Sequence, residues 1–196
     1  LITVYDDMGL LSLDEKGTVK TSGTEIGAFV RLDDLDAGYS FKELDRSVFM
    51  NPDKVNARIV IPITEYKDVV AKHDVDMFLY ANNYEEKGDS LSFFDNVDDA
   101  LKVFRAGNRM AKGTTTEYGL VGSYFANPFG PVQRQDQCEP LLQDYFQRMF
   151  DQGVKVGQLR TRLGIKGNEH NGPKEAAAEI LKYITGENEL KQLENE

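Results

Sequence analysis

The chain has 196 residues, 40% of them hydrophobic, enough for one domain or two small ones around a sizeable core. With 33 acidic residues against 23 basic ones its net charge is -10, which argues against a general binder of nucleic-acid backbone or of an anionic membrane surface. A single cysteine, Cys138, excludes an internal disulfide, and no run approaches the ~18 apolar residues of a membrane span, so a reducing, cytoplasmic setting is the simplest expectation.

The opening LITVY reads as a buried strand ended by DDMG. It carries no initiator Met, basic leader or cleavage site, so a chain cut from something longer is expected. LLSLDEKGTVKT predicts a hairpin turning at Lys16-Gly17, and GAFVRL a further strand. YSFKELDRSVFM sets Phe41, Leu44, Val48 and Phe49 at helical spacing and stops at Asn51-Pro52. ARIVIPI returns to strand, TEYKDVVAKH predicts a helix capped by Thr64, and VDMFLYA is the continuous apolar run of a strand covered on both faces. DNVDDALKVFRAGNRMA places Val97, Leu101, Phe104 and Met110 on one helix face behind three acids. After a Gly/Thr-rich segment, QDQCEPLLQDYFQRMFDQG predicts a helix on which Leu141, Tyr145 and Met149 stack and which Gly153 stops. VKVGQLRTRL is strand-like, and GPKEAAAEILKYITG is a helix between Pro173 at its first position and Gly186 beyond its last. Residues 1–186 read as one mixed α/β unit, and 187–196 as an acidic tail.

Several positions carry candidate chemistry. Asp6 and Asp7 follow the first apolar run, where open α/β sheets place ligand groups and a carboxylate can hold a metal bound to phosphate; on spacing alone two acids there are more often an ordinary turn. Arg58 sits in an otherwise apolar strand, as a fork for phosphate or carboxylate or as the partner of a structural acid. Gly113 and Thr114 open a run whose backbone N–H groups and hydroxyls suit an anion. Arg160 and Arg162, at period two, make a local basic patch or a solvated face. His73 and His170 stand alone, and the sequence lacks G-x-S-x-G and the phosphate loop G-x-x-x-x-G-K-[ST].

The order of these pieces resembles the C-terminal domain of nucleotide-dependent phosphoenolpyruvate carboxykinases. LITVYDDMG is similar to that family's strand ending in Gly-Asp-Asp, SGTEIGAFVRLDDL to its strand before a helix, and VNARIVIPI to its Asn-x-Arg followed by Pro-Ile. MFLYANN falls where the family has Thr-Ala-Asp, and AKGTTTEYGLVGSYFANPFGP resembles its Ala-Gly-Thr-Glu segment running to Phe-Gly-x-Pro-Phe. The resemblance covers nearly the whole chain in short matches. It implies a mixed-sheet fold of that kind, with Asp7 as ligand of Mn2+ or Mg2+ beside its neighbour Asp6. It implies Arg58 against the transferred phosphoryl group and the carboxylic substrate, and Gly113 to Gly119 as a lid anchored by Phe125, Pro128 and Phe129. The activity implied is decarboxylation of oxaloacetate with phosphoryl transfer from ATP or GTP. The partners implied are a nucleotide, a small carboxylic acid and a missing N-terminal part of the same protein, with no nucleic acid and no membrane.

Departures from the family are Met8 in place of Glu, Val-Asn-Ala-Arg in place of Thr-Glu-Asn-Thr-Arg, and QLRTRLGIKG in place of Asn-Thr-Gly-Trp. With the phosphate loop absent from these residues, the chain alone is expected to be inactive. Another phosphotransferase on the same scaffold, a non-catalytic nucleotide-binding or assembly module, and an unrelated α/β interaction protein stay open.

Overall fold

The structure is a computed structural model and describes residues 2–31, 58–111, 118–127 and 130–186. It is mixed α/β, divided into two compact units, Leu1–Val75 and Asp76–Glu196.

In the first unit the expected hairpin forms: β1 (Gly9–Leu13) pairs antiparallel with β2 (Val19–Gly23). Its turn follows from Asp14, whose Oδ1 accepts from Lys16 N at 2.9 Å and Thr18 N at 2.8 Å, and from Gly17 at φ 77°. The Thr18 bond first, helped by Lys16 and the Lys20 ammonium, holds the Asp14 carboxyl below its ordinary range. A two-residue strand, β5 (His73–Asp74), adds to the far edge of β2, where Lys20 pairs with Asp74. β3 (Gly27–Arg31) and β4 (Arg58–Pro62) form a separate antiparallel pair.

Two expectations fail in this unit. Residues 2–6 are not a strand, and Ile2 is 87% exposed. What they supply is Tyr5, whose ring fills the hollow left by the cross-strand glycines Gly9 and Gly23: a Cβ at Gly9 would lie 2.7 Å from the ring. The Tyr5 hydroxyl reaches Thr21, so a side chain docks where a backbone ladder was expected. The helix expected from Thr64 is a single turn, α1 (Tyr66–Val69), entered at Glu65 without a side-chain cap. The chain leaves it at once to pair β5 with β2, and His73 Nε2 bonds the Asp68 carbonyl at 2.7 Å.

The second unit is built on the parallel pair β6 (Met77–Asn82) and β10 (Lys155–Arg160), with β7 (Leu91–Phe93) antiparallel on the other side of β10. Paired residues share a face, so Phe78, Tyr80 and Val156 point one way and Leu159 and Phe93 the other. Helices α2 (Val97–Ala106) and α4 (Gln135–Asp151) cover the first face, with Phe78 stacked on Phe104 at 5.3 Å and edge-on to Phe146 at 5.9 Å. Helix α5 (Asn171–Thr185) covers the second through Tyr183, 4.9 Å from Phe93. VDMFLYA, expected to be covered on both faces, forms the edge strand β6, in which Tyr80 is buried on the first face while on the second Met77 and Leu79 are half-buried and Ala81 is exposed.

The helices agree with the sequence in place and differ in detail. Asn96 caps α2 by accepting from Asp99 N at 2.9 Å, and Gly153 and Gly186 close α4 and α5 in left-handed conformation. Pro173 falls third in α5, within the first turn, where its missing N–H leaves no bond unmade. The buried face of α4 is Leu142, Phe146 and Met149, while Leu141 is 59% exposed. Helix α2 stops at Ala106, Gly107 capping it at φ 52°, so Met110 belongs to β8 (Asn108–Ala111) and not to the helix face. β8 pairs with β9 (Gly119–Gly122). One 3-10 turn (Tyr124–Ala126) and the four-residue α3 (Gly130–Gln133) then lead into α4. Among the described residues no helix is long and apolar enough to cross a membrane.

Candidate functional site

The carboxylates singled out from the sequence fall on one tight turn of the first unit. Met8 N donates to the Asp6 carbonyl at 2.8 Å, a two-residue bond that makes Asp7 the centre of a γ-turn, and Asp7 has φ 59°. The left-handed form of this turn is rare, and a non-glycine residue in it is strained. Both neighbours are fastened. Asp6 Oδ2 accepts from Phe29 N in β3 at 3.0 Å, and the Met8 carbonyl accepts from Thr24 N at 3.3 Å and Thr24 Oγ1 at 3.1 Å.

The two acids therefore have different surroundings. Asp6 is half-buried and bound to backbone. Asp7 is exposed, and among the described residues nothing bonds its carboxylate. Mg2+ and Mn2+ beside phosphates take one or two carboxylates and leave the remaining positions to water and phosphate oxygens. Asp7 fits that role as a single ligand. Among the described residues no group of three or more His, Cys, Asp or Glu makes an all-protein metal cage.

Arg58 opens β4, its backbone in register with Arg31 of β3; its side chain lies outside the described residues. Gly113 and Thr114 also lie outside them, as do Pro128, Phe129 and the helix expected over Phe41 to Phe49. Phe125 is described, and its ring sits 6.2 Å from Phe104.

Arg160 and Arg162 are not an open basic patch. β10 ends at Arg160, and Arg162 turns away at φ 53°. Both guanidinium groups fold over residues 85–92, each side chain only 13% exposed. Arg160 reaches Glu85 Oε2 at 2.8 Å, the Asp89 carbonyl at 2.9 Å and Ser92 Oγ at 3.0 Å. Arg162 donates to the carbonyls of Glu86 and Gly88 at 3.0 and 2.7 Å and to Ser90 Oγ at 3.0 Å. Forks satisfied this fully have few donors left for a ligand.

Sequence reading missed the polar residues that organise the second unit. Asn82 is fully buried at the end of β6; its Oδ1 accepts from Tyr84 N at 3.1 Å and Glu85 N at 3.0 Å, and its Nδ2 donates to Gln158 at 3.3 Å. Asn83 brackets Met110 through both backbone groups, at 2.8 and 2.9 Å. The dipeptide Asn82-Asn83 after an apolar strand was the available signal. Tyr124, Glu139 and Arg105 form a further cluster, with Tyr124 OH donating to Glu139 Oε2 at 2.6 Å and Arg105 pairing with Oε1. Burial first, then Glu139, pushes the Tyr124 hydroxyl up, and the Arg105 bond draws the Glu139 carboxyl down.

A cleft of about 470 Å³ beside α2 is lined by Tyr84, Phe93, Phe94, Asp95, Asp99 and Lys102 among others, and one of about 690 Å³ lies between Arg162 and α5. Asp6 and Asp7 line neither. No family model matches the chain, and no match was found among curated proteins or solved structures.

Proposed function

We propose that the chain is the nucleotide-domain part of a phosphoenolpyruvate carboxykinase-like cytoplasmic enzyme, in which Asp7 holds a divalent metal against the phosphates of ATP or GTP. The observation that carries the proposal is the Asp7 turn. Strained backbone persists where its surroundings enforce it, and the strain here serves to hold one carboxylate outward with no internal partner. Supporting it is the order of short motifs along the chain, in which Arg58 takes the place of the family's substrate arginine.

In such an enzyme the bound metal would supply positive charge to the phosphates during phosphoryl transfer. Asp7 would orient it. Asp6, committed to Phe29 N, fits the role of fixing the turn better than that of a second ligand. Arg58 would clamp the carboxylic substrate and the transferred group. The phosphate loop is absent from these residues, so the test uses protein expressed from the complete gene. Phosphoenolpyruvate formed from oxaloacetate and ATP or GTP, dependent on Mn2+ and lost in Asp7→Asn, is the expected result.

Met8, 49% exposed where the family has Glu, favours a second reading: a nucleotide-binding or assembly module that keeps the fold without the chemistry. Metal-dependent nucleotide binding without turnover would select it.

A further inference from the structure

The β8–β9 hairpin has little apolar support of its own. It has four register pairs, Leu120 is 55% exposed, and Tyr118 just before β9 is 80% exposed. Segments with few buried contacts open at lower free energy than the core they join. β8 is fastened to the end of β6, by Asn83 on both backbone groups of Met110 and by the Tyr80 hydroxyl on the Asn108 carbonyl; what holds β9 is its pairing with β8 and a cluster at the hairpin base. At one end α2 runs through Arg105 and Gly107 into β8, and at the other β9 runs through Ser123 into Tyr124. Ser123 N donates to the Gly107 carbonyl at 3.3 Å, and Gly107 lies so close to Ser123 O and Ala126 N that a Cβ would overlap both. Phe125 and Ala126 follow in consecutive left-handed conformations, φ 56° and 53°.

One side chain binds both ends. Glu139 of α4 accepts from Tyr124 OH through Oε2 and from Arg105 through Oε1. The same guanidinium reaches Gln143 Oε1 at 3.1 Å, while its buried Nε has no partner among the described residues. We infer that Glu139 is the latch of the β8–β9 hairpin: by bonding Tyr124 and Arg105 together it holds both ends of the hairpin base to α4, and its release lets β9 come away while β8, held by Asn83, and the aromatic core stay in place. Phe125, against Phe104, is the apolar half of the same fastening.

Amide hydrogen exchange, resolved by peptide, on the whole chain tests this with Tyr124→Phe and Glu139→Gln. Tyr124→Phe keeps the ring and removes only the hydroxyl, so it reports even if the Glu139 variant fails to fold. Expected is an acceleration of about tenfold or more in Gly119–Gly122, with Met110, held by Asn83, and Phe146, Met149 and Val156 unchanged. The double variant should exceed the stronger single one by little, because both changes break one carboxylate's bonds. Leu142→Ala, a core variant, should accelerate core and hairpin together. Unchanged exchange in Gly119–Gly122, equal acceleration of the core, or fully additive effects would each overturn the latch.

Discussion

Asp6 Oδ2 accepts a hydrogen bond from Phe29 N at 3.0 Å, tying the segment before β1 to the backbone of β3. A half-buried charged acceptor on a backbone N–H is a structural bond, and its neighbour Asp7 has none. The pair therefore divides into a residue that positions and a residue that is presented.

Asp6→Ala is expected to lower stability by about 1–3 kcal/mol, the range for a hydrogen bond to a charged group and the donor left behind. Asp7→Gly is expected to leave stability unchanged or raise it by up to about 1–2 kcal/mol, since glycine removes the left-handed strain. Urea unfolding of both variants checks the division. A larger loss for Asp7→Gly than for Asp6→Ala would refute it.

Gly107→Ala is expected to cost more than about 1–2 kcal/mol, because alanine at φ 52° is strained and its methyl meets the Ser123 carbonyl and the Ala126 amide. Gly153→Ala, at φ 77° with nothing near its Cβ, should show the conformational part alone. The difference between the two in thermal unfolding measures how tightly the hairpin base is closed.

Arg160→Ala should destabilise by about 2–4 kcal/mol, leaving Glu85, the Asp89 carbonyl and Ser92 without their donor. Nucleotide binding, measured at a temperature where the variant is folded, should be unaffected. Loss of binding with stability intact would restore these arginines as an anion site.

Helices α2, α4 and α5 and the first hairpin were legible because their signals are local: Lys16-Gly17 turns β1 into β2, acids open α2, and Gly153 and Gly186 end their helices. Errors arose where two local readings were equally good. Leu141-Leu142 and Tyr145-Phe146 are doublets, so two faces of α4 have the same apolar spacing, and only tertiary packing, seen in Phe146 against Phe78 and Phe104, selects the face on which Leu142 is also buried. LITVY has the composition of a strand, but Gly9 and Gly23 offer a hollow for Tyr5 in its place. The bonds joining Arg160 to Glu85 and Tyr124 to Glu139 cross 75 and 15 residues and leave no periodic mark. Of the candidate site, the placement of Asp6 and Asp7 at a strand end failed, since residues 2–6 form no strand, and the γ-turn that separates the two acids left no mark in the sequence.

Tyr80 gives stability a dependence on alkaline pH. Burial raises its hydroxyl from 10.0 to about 12, and the hydroxyl donates to the Asn108 carbonyl. The folded state thus binds the proton more tightly than the unfolded one, so this contribution is whole below pH 10.0 and is lost as pH rises through about 12. Glu139 acts in the opposite sense: its carboxyl is drawn below 4.5, and its contribution is present above that pH and lost as pH falls. Melting temperature followed across pH should fall less steeply at the alkaline end in Tyr80→Phe and at the acid end in Glu139→Gln.

The most direct test of the central claim is calorimetric titration of ATP and GTP, with and without Mn2+, into protein expressed from the complete gene and into its Asp7→Asn variant. Nucleotide binding that requires Mn2+ and weakens at least tenfold in Asp7→Asn is expected. Absence of Mn2+-dependent binding in folded protein, or equal binding by the variant, would contradict the role given to Asp7.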